Sequence, residues 1–325
     1  MPQPTAAPAT QRPDIASCFM EYPLLAATKG LIASEVFPVI NTMQQAGNFG
    51  IIPVEELLKT GTGLRGSDGG YERGSFKFTP STFSTVEYGF EEVLDRRTVK
   101  MYQHYFDAEV VGALRARAKL LKAWEIRVAT AVFNTTTWTG SALTTAITHE
   151  WDDKVNCTPR ANVKAAKLLV LANSGLWPNA LIINAKVFEN LLDSAEIIDR
   201  LKYSGHTDPK PGNITPQALA DALNIERVII AGGVKDTANV NQDATIAQVW
   251  SDEYAMICKI ADGPDFQEPG IGRCFHWGGD GSVEGGMVES YYEENKRADI
   301  IRVRHDIDEV TLYANAGHLL SNITT

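Results

Sequence analysis

Cysteine is scarce in this sequence and never closely paired. Cys18, Cys157, Cys258 and Cys274 stand far apart, which argues against a disulfide framework and fits a reducing compartment. Long apolar runs are missing too, and none approaches the roughly 18 to 20 residues that a membrane span needs. Residues 1–17, "MPQPTAAPATQRPDIAS", lack the charged-then-apolar order of a signal peptide, so the chain reads as cytosolic when made. Positive charge is in deficit, with 30 Lys and Arg against 40 Asp and Glu and a net charge of −10. That balance argues against tight sequence-independent binding of nucleic acid, and any contact with DNA is expected to be weak or local.

Catalytic signatures are also lacking. There is no GxSxG elbow, and the histidines at 104, 149, 206, 276, 305 and 318 sit in no motif that pairs them with Ser or Cys. The string "HEWDD" offers His149, Glu150, Asp152 and Asp153, but adjacent residues rarely converge on one ion, and it reads as a solvated or helix-capping cluster. Cys274 and His276 form no CxxC or HExxH pattern and read as part of a buried aromatic neighbourhood. In "GTGLRG", Gly61, Gly63 and Gly66 have the spacing of a dinucleotide-binding loop, with Glu87 about twenty residues on. The context contradicts it, because "EELLKT" before and "SDGGYERGS" after supply neither the buried strand nor the helix N-terminus that meets a pyrophosphate. No catalytic residue, metal or cofactor is assigned; a nucleotide-dependent enzyme stays as the competing reading.

With 44% hydrophobic and 22% charged residues, the composition is that of an ordinary globular chain. Residues 21–40 read as an arm with short helical pieces, broken by Pro23, Gly30 and Pro38. Residues 48–94 read as a long hairpin whose centre, Gly61 to Ser75, holds six glycines in fifteen residues. Its tip carries Lys59, Arg65, Asp68, Glu72, Arg73 and Lys77 and too little apolar surface to fold on itself. From Asp107, taken as N-cap, the spacing of Val110, Leu114, Leu121, Trp124, Val128 and Val132 predicts a helix with its apolar stripe inward, and Arg115, Lys119 and Lys122 on a solvated side. Residues 159–233 alternate helices with short apolar strands, an α/β unit. The last third reads as long strands in "AQVWSDEYAMICKI" and "SVEGGMVESYYEENKRADIIRVRHDIDEVTLYANAGHLL", separated by turn-rich "ADGPDFQEPGIGRCFHWGGDG". Within it, alternation places Arg302, Arg304, Asp306 and Asp308 on one face of a strand and Ile301, Val303 and Ile307 on the other.

The order of these elements, with "WPNALIINAKVFENLLDS", "ITPQALADALNIERVIIAGG", "AQVWSDEYAMICKI" and the terminal "VESYYEENKRADIIRVRHDIDEVTLYANAGHLLSNI", resembles the HK97-like major capsid proteins of tailed double-stranded DNA bacteriophages. The resemblance implies an α+β fold. Its parts would be an N-terminal arm at 1–47, an extended hairpin or E-loop at 48–91, and a P domain with the spine helix at 92–139. An α/β A domain would follow at 140–255, then P-domain long strands and a C-terminal return at 256–325. It implies a self-assembling shell of pentamers and hexamers around a phage genome, located in the virion and assembled in the host cytoplasm without a membrane. The E-loop tip and the strand residues Arg302, Arg304, Asp306, Asp308 and Glu309 are then candidate contacts between copies. Portal, terminase and decoration proteins come as partners with the resemblance, with packaged DNA touched weakly. Because few residues precede the arm, a separate scaffolding protein is expected. An encapsulin-like compartment, which shares the fold, is the nearest alternative.

Overall fold

The computed structural model describes residues 29–53, 58–61, 63–65, 67, 69–71, 73–74, 77, 79–102, 108–203, 214–239, 241–265 and 267–325. Most of the expected arm and the proposed cap at Asp107 lie outside this set. The fold is mixed α+β and is organised by two five-stranded sheets.

The first sheet is built on one strand, β13 (Ala298–Thr311). One of its edges is paired by β4 (Val86–Asp95) along 298–307. The other is shared by β12 (Met287–Glu293), along 298–304, and β11 (Gly272–Trp277), along 307–311. Strand β1 (Val39–Thr42) extends the sheet as a parallel neighbour of β11. Between β1 and β4, β2 (Ala46–Ile51) and β3 (Thr79–Ser84) form the base of the expected hairpin.

Helix α3 (Ala108–Val132) packs on this sheet, following the short helices α1 (Ala33–Val36) and α2 (Arg96–Tyr102). Its 25 residues span about 37 Å at 1.5 Å each. The sequence put Val110, Leu114 and Leu121 in the core beside Trp124, Val128 and Val132. The last three are buried, but Val110 is 53% and Leu114 36% exposed, and Leu121 is only half-buried. Gly112, Ala116 and Ala118 face inward instead. Small residues let the helix lie close to the strands: a Cβ at position 112 would sit 3.5 Å from Ile301. Periodicity of large apolar residues cannot register a stripe made of small ones.

The second sheet runs β5 (Thr144–Ala146), β14 (Gly317–Ser321), β10 (Tyr254–Cys258), β6 (Ala180–Asn184), β7 (Arg227–Ala231). Its helices are α4 (Pro159–Ser174), α5 (Ala185–Leu192), α6 (Ala195–Tyr203) and α7 (Pro216–Leu223). Local sequence sets their ends. Thr215 Oγ1 accepts from Ala218 N at 3.2 Å ahead of Pro216, Asn184 Oδ1 accepts from Lys186 N at 2.7 Å, and α4 stops at Gly175 with φ +70°. All of β6 is buried. Ala180 and Ile182 join the core shared with α3 and β13, whereas Leu181 and Ile183 face the helices of the α/β unit. The C-terminal strand β14 is inserted between β5 and β10, so the α/β unit draws on residues well beyond 255.

Two strand expectations are corrected. "AQVWSDEYAMICKI" holds no long strand but two short ones, β9 (Ile246–Gln248) and β10, with Trp250 turned inward between them. Within the turn-rich stretch, "GRCFHW" is strand β11. The loop before it wraps the fully buried Arg273, whose guanidinium donates to the carbonyls of Gly263 and Asp265 at 2.7 Å and of Glu268 at 3.0 Å.

Three distant segments meet at Glu125, which is wholly buried in α3. Its carboxylate accepts from Ile32 N at 3.0 Å, from Ala33 N at 2.8 Å and from the Trp250 indole. Burial pushes its carboxyl above the ordinary range, although each of these donors pulls the other way. Beside it Gly30 accepts from Gly232 N at 3.0 Å, and a Cβ on Gly30 would come within 2.9 Å of Gly232 Cα. Replacing Glu125 by Ala strands these donors, and buried donors cost about 1 to 3 kcal/mol each when unmet. Urea unfolding followed by circular dichroism is expected to show a loss of about 3 kcal/mol for Glu125→Ala and a smaller loss for Glu125→Gln, whose amide oxygen still accepts.

Candidate assembly interface

The two groups of charged residues singled out in the sequence have different fates. Lys59, Arg65, Arg73 and Lys77 lie in the irregular chain between β2 and β3, and Asp68 and Glu72 fall outside the described residues. Every described residue from Leu58 to Pro80 is exposed, Leu64 and Tyr71 included. Arg65 Nε donates to Gly69 O at 2.9 Å and its guanidinium lies 5.5 Å from the Tyr71 ring centre, both contacts within the tip. The "GTGLRG" glycines belong here: Gly61 and Gly63 lie in irregular chain, with Gly66 outside the described residues. Among the described residues the next helix starts at Arg96.

On β13 the alternation is as read, since Val303 and Ile307 are buried against α3 and the core. The charged face, however, is engaged within the chain. Arg302 Nε donates to Glu289 at 2.9 Å. Arg304 donates to the other oxygen of Glu289 at 3.0 and 3.2 Å and to Asp280, with Asp306 at 3.5 Å and Glu87 at 3.8 Å. Asp308 accepts from Ser84 N at 2.8 Å, and Glu309 holds Arg127 at 2.8 Å. Arg304 is 7% exposed, whereas the Arg302 side chain keeps 39% of its surface. Of the strand's two arginines, Arg302 is therefore the one that keeps exposed surface.

The electrostatics follow from this crowding. Hydrogen bonds from Arg304 hold the carboxyls of Asp280 and Glu289 below their ordinary values. Asp306 goes the other way, raised first by burial and then by the charges of Asp280 and Glu87. Glu289 is recoverable from sequence in retrospect. A hairpin turning at Glu294–Arg297 sets Glu289 opposite Arg302, the register that is found. Asp280, in a loop, gives no such signal.

Directly across the strand, sequence reasoning missed His305. It is wholly buried, its ring centre 6.1 Å from that of Trp124 and 6.3 Å from that of Tyr88, and neither ring nitrogen has a hydrogen-bond partner. Burial, with the nearby Arg127 charge adding to it, pushes its pKa down to about 3.

The remaining candidates are structural. Among the described residues no cluster of His, Cys, Asp or Glu is arranged to hold a metal ion. In "HEWDD", Trp151 is buried, Asp153 caps Val155 and Asn156, and Glu150 and Asp152 bind Thr325. Cys157, Cys258 and Cys274 are buried thiols whose pKa values burial pushes up, which makes poor nucleophiles of them.

No protein-family model and no curated sequence matches the chain. Solved structures do match it along its length. A phage-related protein from Bordetella bronchiseptica is 19% identical, with 96% of each chain covered and a TM-score of 0.66. The capsid structure of the cyanophage P-SCSP1u is 9% identical over 88% of this chain and 86% of that one, with a TM-score of 0.57. The holo-SrpI encapsulin complex from Synechococcus elongatus is 7% identical over 95% of both chains, at a TM-score of 0.52. The fold is thus the one found in phage capsids and encapsulins, the HK97-like fold expected from the order of elements.

His305 sets a pH dependence. Its folded pKa of about 3 lies below its ordinary 6.5, so the unfolded chain binds the proton first. Stability is full above pH 6.5 and falls as pH drops from 6.5 toward 3, by up to about 1.4 kcal/mol per pH unit from this group. Chemical denaturation between pH 7 and 4 is expected to show that decline, and His305→Phe is expected to flatten it by about that slope.

Proposed function

We propose that this chain is the major capsid protein of a tailed double-stranded DNA phage, assembling through pentamers and hexamers into an icosahedral shell. One observation carries the reading: every described residue from Leu58 to Pro80 is exposed, on a chain that shares 96% of its length with a phage-related protein and 88% with a phage capsid structure. In this reading that stretch is the E-loop, α3 the spine helix of the P domain, and the α/β unit the A domain at capsomer centres. Lys59, Arg65, Arg73 and Lys77 then meet a neighbouring copy, together with Asp68 and Glu72. On β13, Arg302 is the favoured contact, while Arg304, Asp306, Asp308 and Glu309 hold the strand that presents it. Assembly, not turnover, is the mechanism: many modest contacts sum when a ring closes. Scaffolding protein, portal and decoration protein are the partners this reading implies, in a virion formed in the host cytoplasm.

Exposed apolar side chains supply the adhesive surface. Leu114 on α3 and Val288 on β12 stand in solvent in the single chain, as do Val86, Phe90 and Val93 of β4. Such a surface on an isolated subunit marks a contact. An encapsulin-like compartment is the second reading, supported by the fold likeness to the SrpI complex. Nuclease-resistant DNA inside purified particles favours a capsid, and protein cargo favours the compartment.

Light scattering of the purified chain, with and without scaffolding protein, is expected to find particles of very high mass. Leu114→Lys is expected to keep its circular dichroism and to change stability by less than about 1 kcal/mol, while shell yield drops at least about tenfold, the equivalent of about 1.4 kcal/mol. A compact monomer at high concentration overturns the reading.

A further inference from the structure

Charge is sorted across the sheet that β13 organises. On the face away from α3, Glu87, Asp280, Glu289 and Asp306 surround Arg304. Glu91 adds a fifth carboxylate, reached by the Tyr291 hydroxyl, and Arg302 a second cation, while Lys296 at the end of the hairpin is matched by Glu293 at 3.0 Å. The α3 side has the opposite balance. Arg115, Arg117, Lys119 and Lys122 fall within two helical turns, and one carboxylate answers them: Glu92, with Lys119 Nζ at 2.5 Å and Arg115 Nε at 3.9 Å. Arg117 donates to the neutral carbonyl of Gly285 at 3.0 Å, and among the described residues neither Arg117 nor Lys122 makes an ion pair. Both Arg115 and Lys119 keep half or more of their side-chain surface.

We propose that the α3 side of the sheet faces the enclosed DNA and that this cationic ridge makes its phosphate contacts, with the acidic face turned outward. The inference rests on the capsid reading above. Residues 115, 119 and 122 follow one another at helical spacings on a single side, over about 10 Å. That length matches about three phosphates of one strand at 3.4 Å each. The ridge's three cations less Glu92 leave a surplus of two charges per copy, which binds weakly, and repetition over many copies supplies the total hold. The acidic opposite face repels phosphate, so contact is one-sided.

Anisotropy of a labelled duplex of about 30 bp against dissociated subunits, over a salt series, tests it, with shell formation followed separately by light scattering. About three released counterions predict that affinity falls about 40-fold between 50 and 200 mM salt. Lys119→Gln with Lys122→Gln is expected to reduce that fall to about 3-fold, and the control Lys154→Gln with Lys202→Gln to leave it unchanged. Lysine acetylation of wild-type subunits supplies a readout that needs no variant: Lys119 and Lys122 are expected to be protected by DNA, and Lys154 and Lys202 not. An unchanged salt dependence in the variant, or absence of protection, overturns the assignment of this face. So does polyglutamate binding the ridge where DNA does not, the result an acidic protein cargo predicts. If shells form normally while the ridge ignores DNA, the inference fails and the capsid reading stands; if no shell forms, the capsid reading itself fails.

Discussion

Over the greater part of its length β13 has no free edge. Ten of its positions are paired to β4, and β12 and β11 together take up the other side. Backbone hydrogen bonding on both edges fixes the register, and a slip of one residue would exchange the two faces. Arg302 and Arg304 would then be driven against α3, and Val303 and His305 into the carboxylates. Glycine helps hold this register from the side. Gly286, at φ +105°, lies so near Val303 that a Cβ would come within 2.4 Å of it. The long helix, the carboxylate cluster and the hairpin base all take their positions from this one strand.

Glu125 fixes what β13 does not reach. Through backbone amides on one side and an indole on the other, a single buried carboxylate joins the beginning of α1, the middle of α3 and the bend before β10. A buried charge is tolerated only when it is well satisfied, and here it is met by donors rather than by a cation. The outcome is a body whose two sheets share a core, while every described residue from Leu58 to Pro80 is exposed.

Pairing within the chain changes which residues can act between chains. A guanidinium already held by Glu289 and Asp280, such as Arg304, gains little from another carboxylate and would lose its own partners in reaching for one. What stays exposed are apolar groups such as Leu114 and Val288, and Arg302, whose side chain keeps 39% of its surface.

The sequence alone determined the local features: most of the helices, where Thr215, Asn184 and Gly175 begin or end them, the buried character of "ALIIN", the glycine-rich stretch whose described residues are exposed, and the alternation on β13. Each follows from neighbours a few residues apart, and together their order carried the resemblance to a capsid fold. Tertiary structure decided the rest. It turned Gly112 and Ala116 inward in place of Val110 and Leu114, made a strand of "GRCFHW" by placing β1 and β13 on either side, and broke "AQVWSDEYAMICKI" so that Trp250 could reach Glu125. It also gave Arg304 its carboxylates from β4, β12 and a loop. The reason is the same in every case: the deciding partner lies tens to hundreds of positions away, where no local periodicity can register it.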